Sequence, residues 1–296
     1  IKGEMTFSEI LQKLGETVIK VNQARSRLDI IQHFDLYQDT HYLDAVRLGD
    51  SEIEFKLDNP QRQPVHVKIW LPLYKPLSIR SLDADGSIQP VQSARPRMLA
   101  LGDSITQGFV AGKPSFNYVS QLAEFLDVDA INQGIGSMVH DKGILTDWEN
   151  LPQPDLVTTA YGTNDWHSGK LLPEIEADMA AYFQRLAFVF PDIPIFVITP
   201  IWRDDLHKSK ECGSFQQLVA CLSQQAIDAA GSRVHLIDGL EVSPHNPACF
   251  SDGWLHPNIA GFSYMAPRLY KTVKDWQIQA DLPDKTFVSR KAKIEG

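Results

Sequence analysis

Ser104 is the first residue whose position in the chain suggests chemistry. It lies in the segment Gly102–Gly108, which directly follows the short apolar run Met98–Leu101. A serine at the carboxyl end of a short strand stands where a buried sheet meets solvent, and open α/β folds place their reactive groups at that edge. Because a serine hydroxyl is a poor nucleophile at neutral pH, it needs a base to accept its proton during attack on a carbonyl carbon.

Four further groups in the sequence could serve such a serine. His256 is the candidate base, because an imidazole can take a proton near neutral pH and return it to a leaving group. Asp252 is the nearest carboxylate in sequence and would orient the imidazole. The oxyanion of a tetrahedral intermediate needs donors, and the candidates are the backbone N–H groups of Ser104 and Gly134 and the side-chain amide of Asn164. The set predicts an acyl-transfer site.

The N-terminal part of the chain, residues 1–93, differs in pattern from the rest. Ile53–Leu57, Val65–Leu71 and Leu77–Arg80 alternate apolar and polar residues, and turn residues separate them. This pattern is typical of antiparallel strands with one solvated face. A short helix is expected around Phe7–Leu14. We therefore expect a modest all-β sandwich, similar to a jelly roll, ahead of the main domain.

Residues 94–280 predict a three-layer α/β domain, followed by a loose polar tail over residues 281–296. Short apolar strands alternate there with helical patterns, which indicates a parallel sheet with crossover helices. The expected strands are Met98–Leu101, Ala130–Asn132, Leu156–Ala160, Ile195–Thr199 and Val234–Ile237. The expected helices are Phe116–Leu126, Glu174–Phe190, Phe215–Ala230 and Ile259–Lys274.

The predicted sheet would bring the candidate residues together. Asn132–Gly136 and Tyr161–Asp165 follow predicted strands, and Asp252–Asn258 lies in the loop after the last strand. Because parallel strands end at the same edge of a sheet, we expect all three segments to meet Ser104 there, despite their distance in sequence.

These segments, taken in order, resemble the blocks of the SGNH/GDSL hydrolase superfamily. Gly102-Asp103-Ser104 resembles its first block, Gly134 after Asn132 its glycine block, Gly162-Thr163-Asn164-Asp165 its third block, and His256-Pro257-Asn258 its histidine block. The resemblance implies a flavodoxin-like five-stranded sheet, an esterase or acyl-esterase activity, and no cofactor. An N-terminal β-sandwich ahead of such a domain also resembles two-domain carbohydrate esterases and some related acyltransferases.

One spacing departs from the family pattern. The family places the acid three residues before the histidine, whereas Asp252 stands four residues before His256, with Trp254 or Leu255 as the apparent extra residue. Two arrangements therefore remain open. Asp252 orients His256 from a bulged loop, which we expect, or a backbone carbonyl orients it in a Ser-His dyad.

The walls of a substrate pocket are predicted from residues close to these blocks. Aromatic planes stack on sugar faces, although tryptophan is also a common core residue. None of the histidines pairs with another ligand at metal-binding spacing, so no metal site is expected. The candidate pocket residues are Asp165, Trp166, His140, His167 and Trp254.

The composition narrows the classes of partner. The chain has 296 residues and a net charge of −9 without a concentrated basic face, which argues against nucleic acid. No window approaches the ~18 apolar residues of a membrane span. Cys212, Cys221 and Cys249 lack paired spacing and suggest free thiols, which favours a cytoplasmic location.

The sequence therefore favours a serine esterase that acts on small acyl esters, with an acetyl ester of a sugar as the expected substrate. An acyltransferase that uses the same site is the alternative among enzymes. A non-catalytic carbohydrate-binding protein is the alternative outside enzymes. The expected partner is a small-molecule or carbohydrate ester, and the oligomeric state stays open.

Overall fold

An antiparallel sheet forms the described part of the N-terminal region. The computed structural model describes residues 33–47, 54–73, 79, 81, 83–91 and 93–279. The strands are β1 (His33–Gln38), β2 (His41–Arg47) and β3 (Val67–Trp70), in the order β2-β1-β3. The all-β character predicted for this region is confirmed for the residues that the structure describes.

The individual strands of this region differ from the expectation. The predicted strand Val65–Leu71 is the shorter β3, and residues 54–57 of the predicted Ile53–Leu57 form no strand. Most of Leu77–Arg80 and all of Phe7–Leu14 lie outside the described residues. Strands β1 and β2 are not among the predicted strands. In β1 the fully buried Asp35 breaks the alternation of apolar and polar residues.

A five-stranded parallel sheet forms the centre of the α/β part, as predicted. Its strand order is β10-β7-β6-β4-β5, and a two-stranded hairpin, β8 with β9, lies outside it. Predicted and observed strands agree to within one residue or two at each end. The strands are β4 (Arg97–Gly102), β5 (Asp129–Gly134), β6 (Leu156–Ala160), β7 (Ile195–Ile198), β8 (Ser209–Lys210), β9 (Gly213–Ser214) and β10 (Val234–Ile237).

Helices surround this sheet. The predicted helix over Phe116–Leu126 begins later, at Tyr118, because Asn117 accepts a hydrogen bond from the Ser120 N–H and caps it. The last helix extends past its predicted end to Gln279. The helices are α1 (Ser104–Gln107), α2 (Tyr118–Leu126), α3 (Thr163–Trp166), α4 (Leu172–Val189), α5 (Phe215–Ala230), α6 (Gly239–Val242) and α7 (Ile259–Gln279).

The core lies in two layers, one on each face of the sheet. Side chains alternate along β4, so Met98 and Ala100 pack with α2 and α7, whereas Leu99 and Leu101 pack with α4 and α5. Both faces are buried, as in other parallel sheets with helices on each side. This is the predicted three-layer, flavodoxin-like arrangement.

The N-terminal sheet contacts the α/β part through the segment that follows α1. Oδ2 of Asp35 accepts hydrogen bonds from the N–H and the hydroxyl of Ser115 at 2.9 and 2.5 Å. Nδ1 of His33 lies 3.0 Å from the carbonyl oxygen of Gly112. Strand β1 therefore supports the segment that leads from the serine into the body of the domain.

Candidate active site

Ser104 begins helix α1 immediately after β4. Asp103 is the N-cap of this helix, and its Oδ1 accepts a hydrogen bond from the Ile105 N–H at 2.9 Å. The first N–H groups of a helix have no intrahelical acceptor, so the Ser104 N–H points out of the helix end. The turn thus presents both the hydroxyl and the N–H of one residue at the carboxyl edge of the sheet.

His256 lies beside this hydroxyl. Oγ of Ser104 is 3.0 Å from Nε2 of His256, although 152 positions separate the two residues in sequence. The ring of Phe109 meets the imidazole edge to face at 4.9 Å between centroids. The predicted convergence of the first and last segments on one edge of the sheet is therefore present in the structure.

Asp252 reaches His256 despite the longer spacing. Its Oδ2 lies 2.7 Å from Nδ1 of the imidazole. Its Oδ1 accepts backbone hydrogen bonds from Trp254, Leu255 and His256 at 3.0, 2.9 and 3.1 Å. Gly253 has a φ of +77°, in the left-handed region that glycine enters without strain. This turn absorbs the additional residue and directs the carboxylate at the ring.

The surroundings of Asp252 keep it ionised. Burial on its own would raise its pKa, but the hydrogen bond and charge of His256, together with the N–H groups of Leu255 and Trp254, outweigh it and lower the pKa below its usual value. An ionised carboxylate holds the proton of the imidazole on Nδ1. Nε2, which faces Oγ of Ser104, is then the nitrogen without a proton.

Asn164 lies next to the serine turn. Its side-chain amide donates to the carbonyl oxygen of Met138 at 2.9 Å and lies 3.4 Å from Oδ2 of Asp103. The first residue of α3 is Thr163, so the helix start carries Asn164 to the same edge. The structure therefore brings the Asn164 amide close to the residue that caps the Ser104 helix.

Gly134 ends β5 opposite Gly102, at the edge of the sheet where the sequence places it. Its N–H donates to Oδ1 of Asn132 at 2.9 Å, so this donor is already paired. A Cβ at position 134 would collide with the backbone nitrogen of Gln107, because the end of β5 packs directly under α1. The Gly134 N–H would have to leave Asn132 before it could donate to an oxyanion, and its role in the oxyanion hole stays a prediction. The backbone at Gly136 also passes close to the serine, since a Cβ there would lie 3.9 Å from Cβ of Ser104.

Asp103, which caps the serine helix, is a buried titratable group. Burial is the main cause that raises the pKa of its carboxyl to about 7, and the nearby Asp165 adds to the shift. The N–H of Ile105 and the charge of Arg203 act in the opposite direction. A carboxyl group that titrates near neutral pH thus lies directly beside the serine.

Three predicted pocket residues are core residues instead. Trp166, His140 and Asp165 have exposed fractions of 0, 2 and 3%. The ring of His140 packs against Tyr161, Tyr182 and Phe183, and its Nδ1 lies 3.2 Å from Oδ2 of Asp165. Their burial argues against a place in the wall of an open pocket. The sequence could not show this, because it does not reveal which side chains pack or pair with one another.

The two remaining pocket candidates lie nearer the surface. His167 is exposed and follows α3, whereas Trp254 is half-buried in the loop between Asp252 and His256. Over the residues that the structure describes, no three histidine, cysteine, aspartate or glutamate side chains form a group that could hold a metal ion. No helix in the described part of the chain has the length and apolar character needed to cross a membrane.

Arg203 belongs to the site but was absent from the prediction. It follows β7 in the loop after Ile198, and its side chain is 1% exposed. The rule that parallel strands end at one edge could have found it, since this loop leaves the same edge as α1 and α3. A charged residue after a strand gives little signal by itself, and nothing in the sequence marked this one as buried.

Comparison with solved structures shows the same fold in proteins of low sequence identity. A salicylyl-acyltransferase from a tetracycline biosynthetic pathway gives a TM-score of 0.65 at 16% identity, over 84% of this chain and 74% of the other. A GDSL-like lipase from Bacteroides ovatus gives 0.65 at 19%, over 84% and 77%. A family two carbohydrate esterase from Clostridium thermocellum, solved with cellohexaose, gives 0.63 at 15%, over 83% and 86%.

Sequence comparison assigns the family. A search of curated protein sequences gave no match. The family model of the GDSL-like lipases and acylhydrolases matches residues 100–263, more than half of the chain. The matched range contains Ser104, Asn164, Asp252 and His256, the residues that meet at the sheet edge. The chain belongs to the GDSL-like lipase/acylhydrolase family.

Proposed function

We propose that this protein is a serine esterase that hydrolyses small acyl esters through an acyl-enzyme on Ser104. The observation that carries the proposal is the hydrogen-bonded line from Ser104 through His256 to Asp252, with distances of 3.0 and 2.7 Å. This line has the order nucleophile, base and orienting acid that acyl transfer requires. An intact line of this kind argues against a non-catalytic carbohydrate-binding protein.

The reaction follows from the positions of these three groups. Oγ of Ser104 attacks the acyl carbon while its proton passes to Nε2 of His256. The tetrahedral intermediate collapses, the C–O bond to the alcohol breaks, and the alcohol leaves with that proton. A water molecule then gives a proton to His256 and attacks the acyl carbon. The acid is released, and the proton returns to Ser104.

The oxyanion would be stabilised by two donors. The N–H of Ser104 is unpaired within its helix. The Asn164 amide lies beside the serine turn, and it would reach an oxyanion by releasing Oδ2 of Asp103, its longer contact at 3.4 Å, while it keeps the Met138 carbonyl at 2.9 Å. Removing one donor of an oxyanion hole costs about 10²–10³-fold in kcat. Gly134 could contribute only if its N–H left Asn132.

An acetyl ester of a sugar is the substrate class that we propose. It is supported by the fold shared with a carbohydrate esterase and by the half-buried ring of Trp254, which lies two residues from Asp252 and His256. The salicylyl-acyltransferase, with a TM-score of 0.65 against 0.63 for the carbohydrate esterase, supports a second candidate, transfer of the acyl group to an alcohol. Both candidates share the acyl-enzyme and differ in whether water or an alcohol attacks it.

The domain division is proposed with the function. Residues 1–93 would form the all-β domain, residues 94–280 the hydrolase domain and residues 281–296 a tail. The antiparallel sheet β1–β3 and the parallel sheet that begins at Arg97 support the first boundary.

The first experiment measures hydrolysis of p-nitrophenyl acetate and labelling by a fluorophosphonate probe. We expect the parent to be active and labelled, and Ser104→Ala to lose both, with a loss of about 10⁴-fold or more in rate. Ser223→Ala is the matched control, because Ser223 lies on α5 and donates only to Val219 of its own helix. An inactive parent, or a Ser104→Ala variant as fast as the parent, would overturn the proposal.

A second experiment separates hydrolysis from transfer. The acyl-enzyme is formed from an acetyl donor in the presence of sugar alcohols, and the products are identified by mass spectrometry. Free acetate as the main product supports the esterase. A new acetyl ester in excess over free acetate supports the acyltransferase.

A further inference from the structure

Arg203 is a buried cation that the proposed reaction does not use. Burying an unpaired guanidinium is costly, so the partners that surround it show what it holds in place. Its side chain contacts α3 on one side and the loop that carries His256 on the other. These are the two segments that must both be aligned with Ser104.

The first contact holds the start of α3. Nη1 of Arg203 donates to the carbonyl oxygen of Thr163 at 3.1 Å and to its hydroxyl at 3.0 Å. Thr163 directly precedes Asn164, so these two bonds fix the backbone from which the amide extends. A displacement at Thr163 would move the proposed oxyanion donor with it.

The second contact holds the loop between Asp252 and His256. Cζ of Arg203 lies over the ring of Trp254, 5.1 Å from its centroid. The N–H of the next residue, Asp204, donates to the carbonyl oxygen of Trp254 at 3.0 Å. The N–H of Trp254 in turn donates to Oδ1 of Asp252. The four-residue spacing between Asp252 and His256 thus includes Trp254, whose ring packs against the buried guanidinium of Arg203.

The orientation of the guanidinium is set by its charge partners. Nε and Nη2 donate to the two carboxylate oxygens of Asp205 at 2.5 and 3.3 Å, and Lys210 donates to the same carboxylate at 3.0 Å. Burial would raise the pKa of Asp205, but its bonds to Arg203 and Lys210 lower it. Cζ also lies 4.9 Å from the ring centroid of Trp166. The planar fork of arginine makes these contacts together, which a lysine ammonium cannot do.

We propose that Arg203 is a positioning residue that couples the Asn164 segment to the Asp252–His256 loop. The inference deepens the proposed function and rests on it for its kinetic part. Arg203 does not touch the reacting atoms. It acts through Thr163 and Trp254, so that the oxyanion donor and the base are held in one geometry around the Ser104 hydroxyl.

The kinetic test uses Arg203→Lys, which keeps the positive charge but loses the fork. We expect kcat on p-nitrophenyl acetate to fall about tenfold or more, because small displacements at a reacting centre are costly. KM should stay within about threefold, since no substrate contact is removed. Arg233→Lys is the matched control. Arg233 directly precedes β10, at the opposite edge of the sheet, and its side chain donates to the Phe190 carbonyl oxygen. The variant should keep the parent kcat.

Variants that remove only one of the two Arg203 contacts, here called single-arm variants, distinguish the coupling from a general loss of stability. Thr163→Val removes one acceptor on the α3 side, and Trp254→Leu removes the ring on the loop side. Each should lower kcat less than Arg203→Lys does. Trp254→Phe keeps an aromatic face and should recover kcat to within about threefold of the parent.

Hydrogen exchange measured by mass spectrometry tests the same coupling in the absence of substrate, through the exchange rates of the two segments. Arg203→Lys should speed exchange in both segments, 163–166 and 254–256. Thr163→Val should affect only the first segment, and Trp254→Leu only the second. Arg233→Lys should change neither.

The outcomes separate the two proposals. An Arg203→Lys variant with parent exchange in both segments, or with kcat within about threefold of the parent, would overturn the coupling. If Arg203→Lys does not fold, the single-arm variants decide, and parent exchange in both of them would overturn it. A parent that neither hydrolyses the ester nor reacts with the fluorophosphonate would overturn the esterase, while the exchange data still decide the coupling.

Discussion

Asp252 accepts hydrogen bonds from His256 through both of its carboxylate oxygens. Oδ2 faces Nδ1 of the ring at 2.7 Å, and Oδ1 faces the backbone N–H at 3.1 Å. One carboxylate therefore fixes the imidazole and the backbone that bears it. Because Oδ1 also accepts from Trp254 and Leu255, the same group shapes the loop and orients the proposed base.

Asp252→Asn separates these two roles. The amide oxygen can still accept the three backbone N–H groups, so we expect the melting temperature to stay close to that of the parent. The amide N–H groups would face Nδ1 and favour the wrong tautomer of His256, and kcat should fall about 10⁴-fold. Steady-state kinetics and thermal unfolding measure the two effects. A loss of less than about tenfold would favour the backbone-carbonyl dyad.

Gly253→Ala tests whether the turn that absorbs the longer spacing matters to catalysis. Gly253 and Gly169 have φ angles of +77° and +78°, and neither has an atom near the position of an added Cβ. Alanine at either position should therefore cost a similar backbone strain of about 1–2 kcal/mol in the free energy of unfolding. Only Gly253→Ala should lower kcat, because only its loop holds Asp252 and His256. Equal kcat values for the two variants would contradict this.

Asp103 should make the stability depend on pH in an unusual direction for an aspartate. Its pKa is raised to about 7 in the folded protein, whereas an unfolded aspartate has a pKa of about 3.9. The stability that it contributes is fully present below about pH 4 and is lost as the pH rises through about 7, because the unfolded chain gives up the proton first.

Asp103→Asn cannot ionise, so its stability relative to the parent should improve between pH 5 and pH 8. Urea unfolding at the two pH values measures the difference. Ser223→Ala removes no ionisable group and should keep the same difference from the parent at both. A relative stability of Asp103→Asn that is independent of pH would contradict the raised pKa.

Asp35→Ala tests the contact between the N-terminal sheet and the segment that follows helix α1. Asp35 is fully buried and accepts both hydrogen bonds that Ser115 donates. Removing the carboxylate leaves the Ser115 donors unpaired, which should cost about 1–3 kcal/mol in the free energy of unfolding. Asp44→Ala on β2 is the control, because Asp44 is exposed and bonds only the adjacent Ala45 N–H. An equal effect of both variants in urea unfolding would show that β1 does not support this segment.

The order of apolar strands and helices was sufficient to predict the parallel sheet and the meeting of Ser104 with His256. Periodicity reports which face of an element is apolar, and parallel strands share their carboxyl edge, so these features follow from local patterns. The five strands and four long helices appear close to their predicted limits.

The sequence could not show which polar residues at that edge would be buried. Trp166, His140 and Asp165 stand near the site blocks in sequence, yet they pair with one another or with the core. Gly134 has the right place in the chain, but its N–H is taken by Asn132. Strand β1 was missed because Asp35 is buried by a partner far along the chain, Ser115.

The sequence by itself determined the family, the layers of the fold and the residue types at the reactive edge. These depend on the spacing of side chains along each element and on the chain order of the elements. Only the tertiary structure decided that Asp252 faces His256 across the longer spacing, and that Arg203 contacts both Thr163 and Trp254. Such contacts depend on how loops are placed in space. The packed sheet sets the distances between these loops, and no local pattern in the chain encodes them.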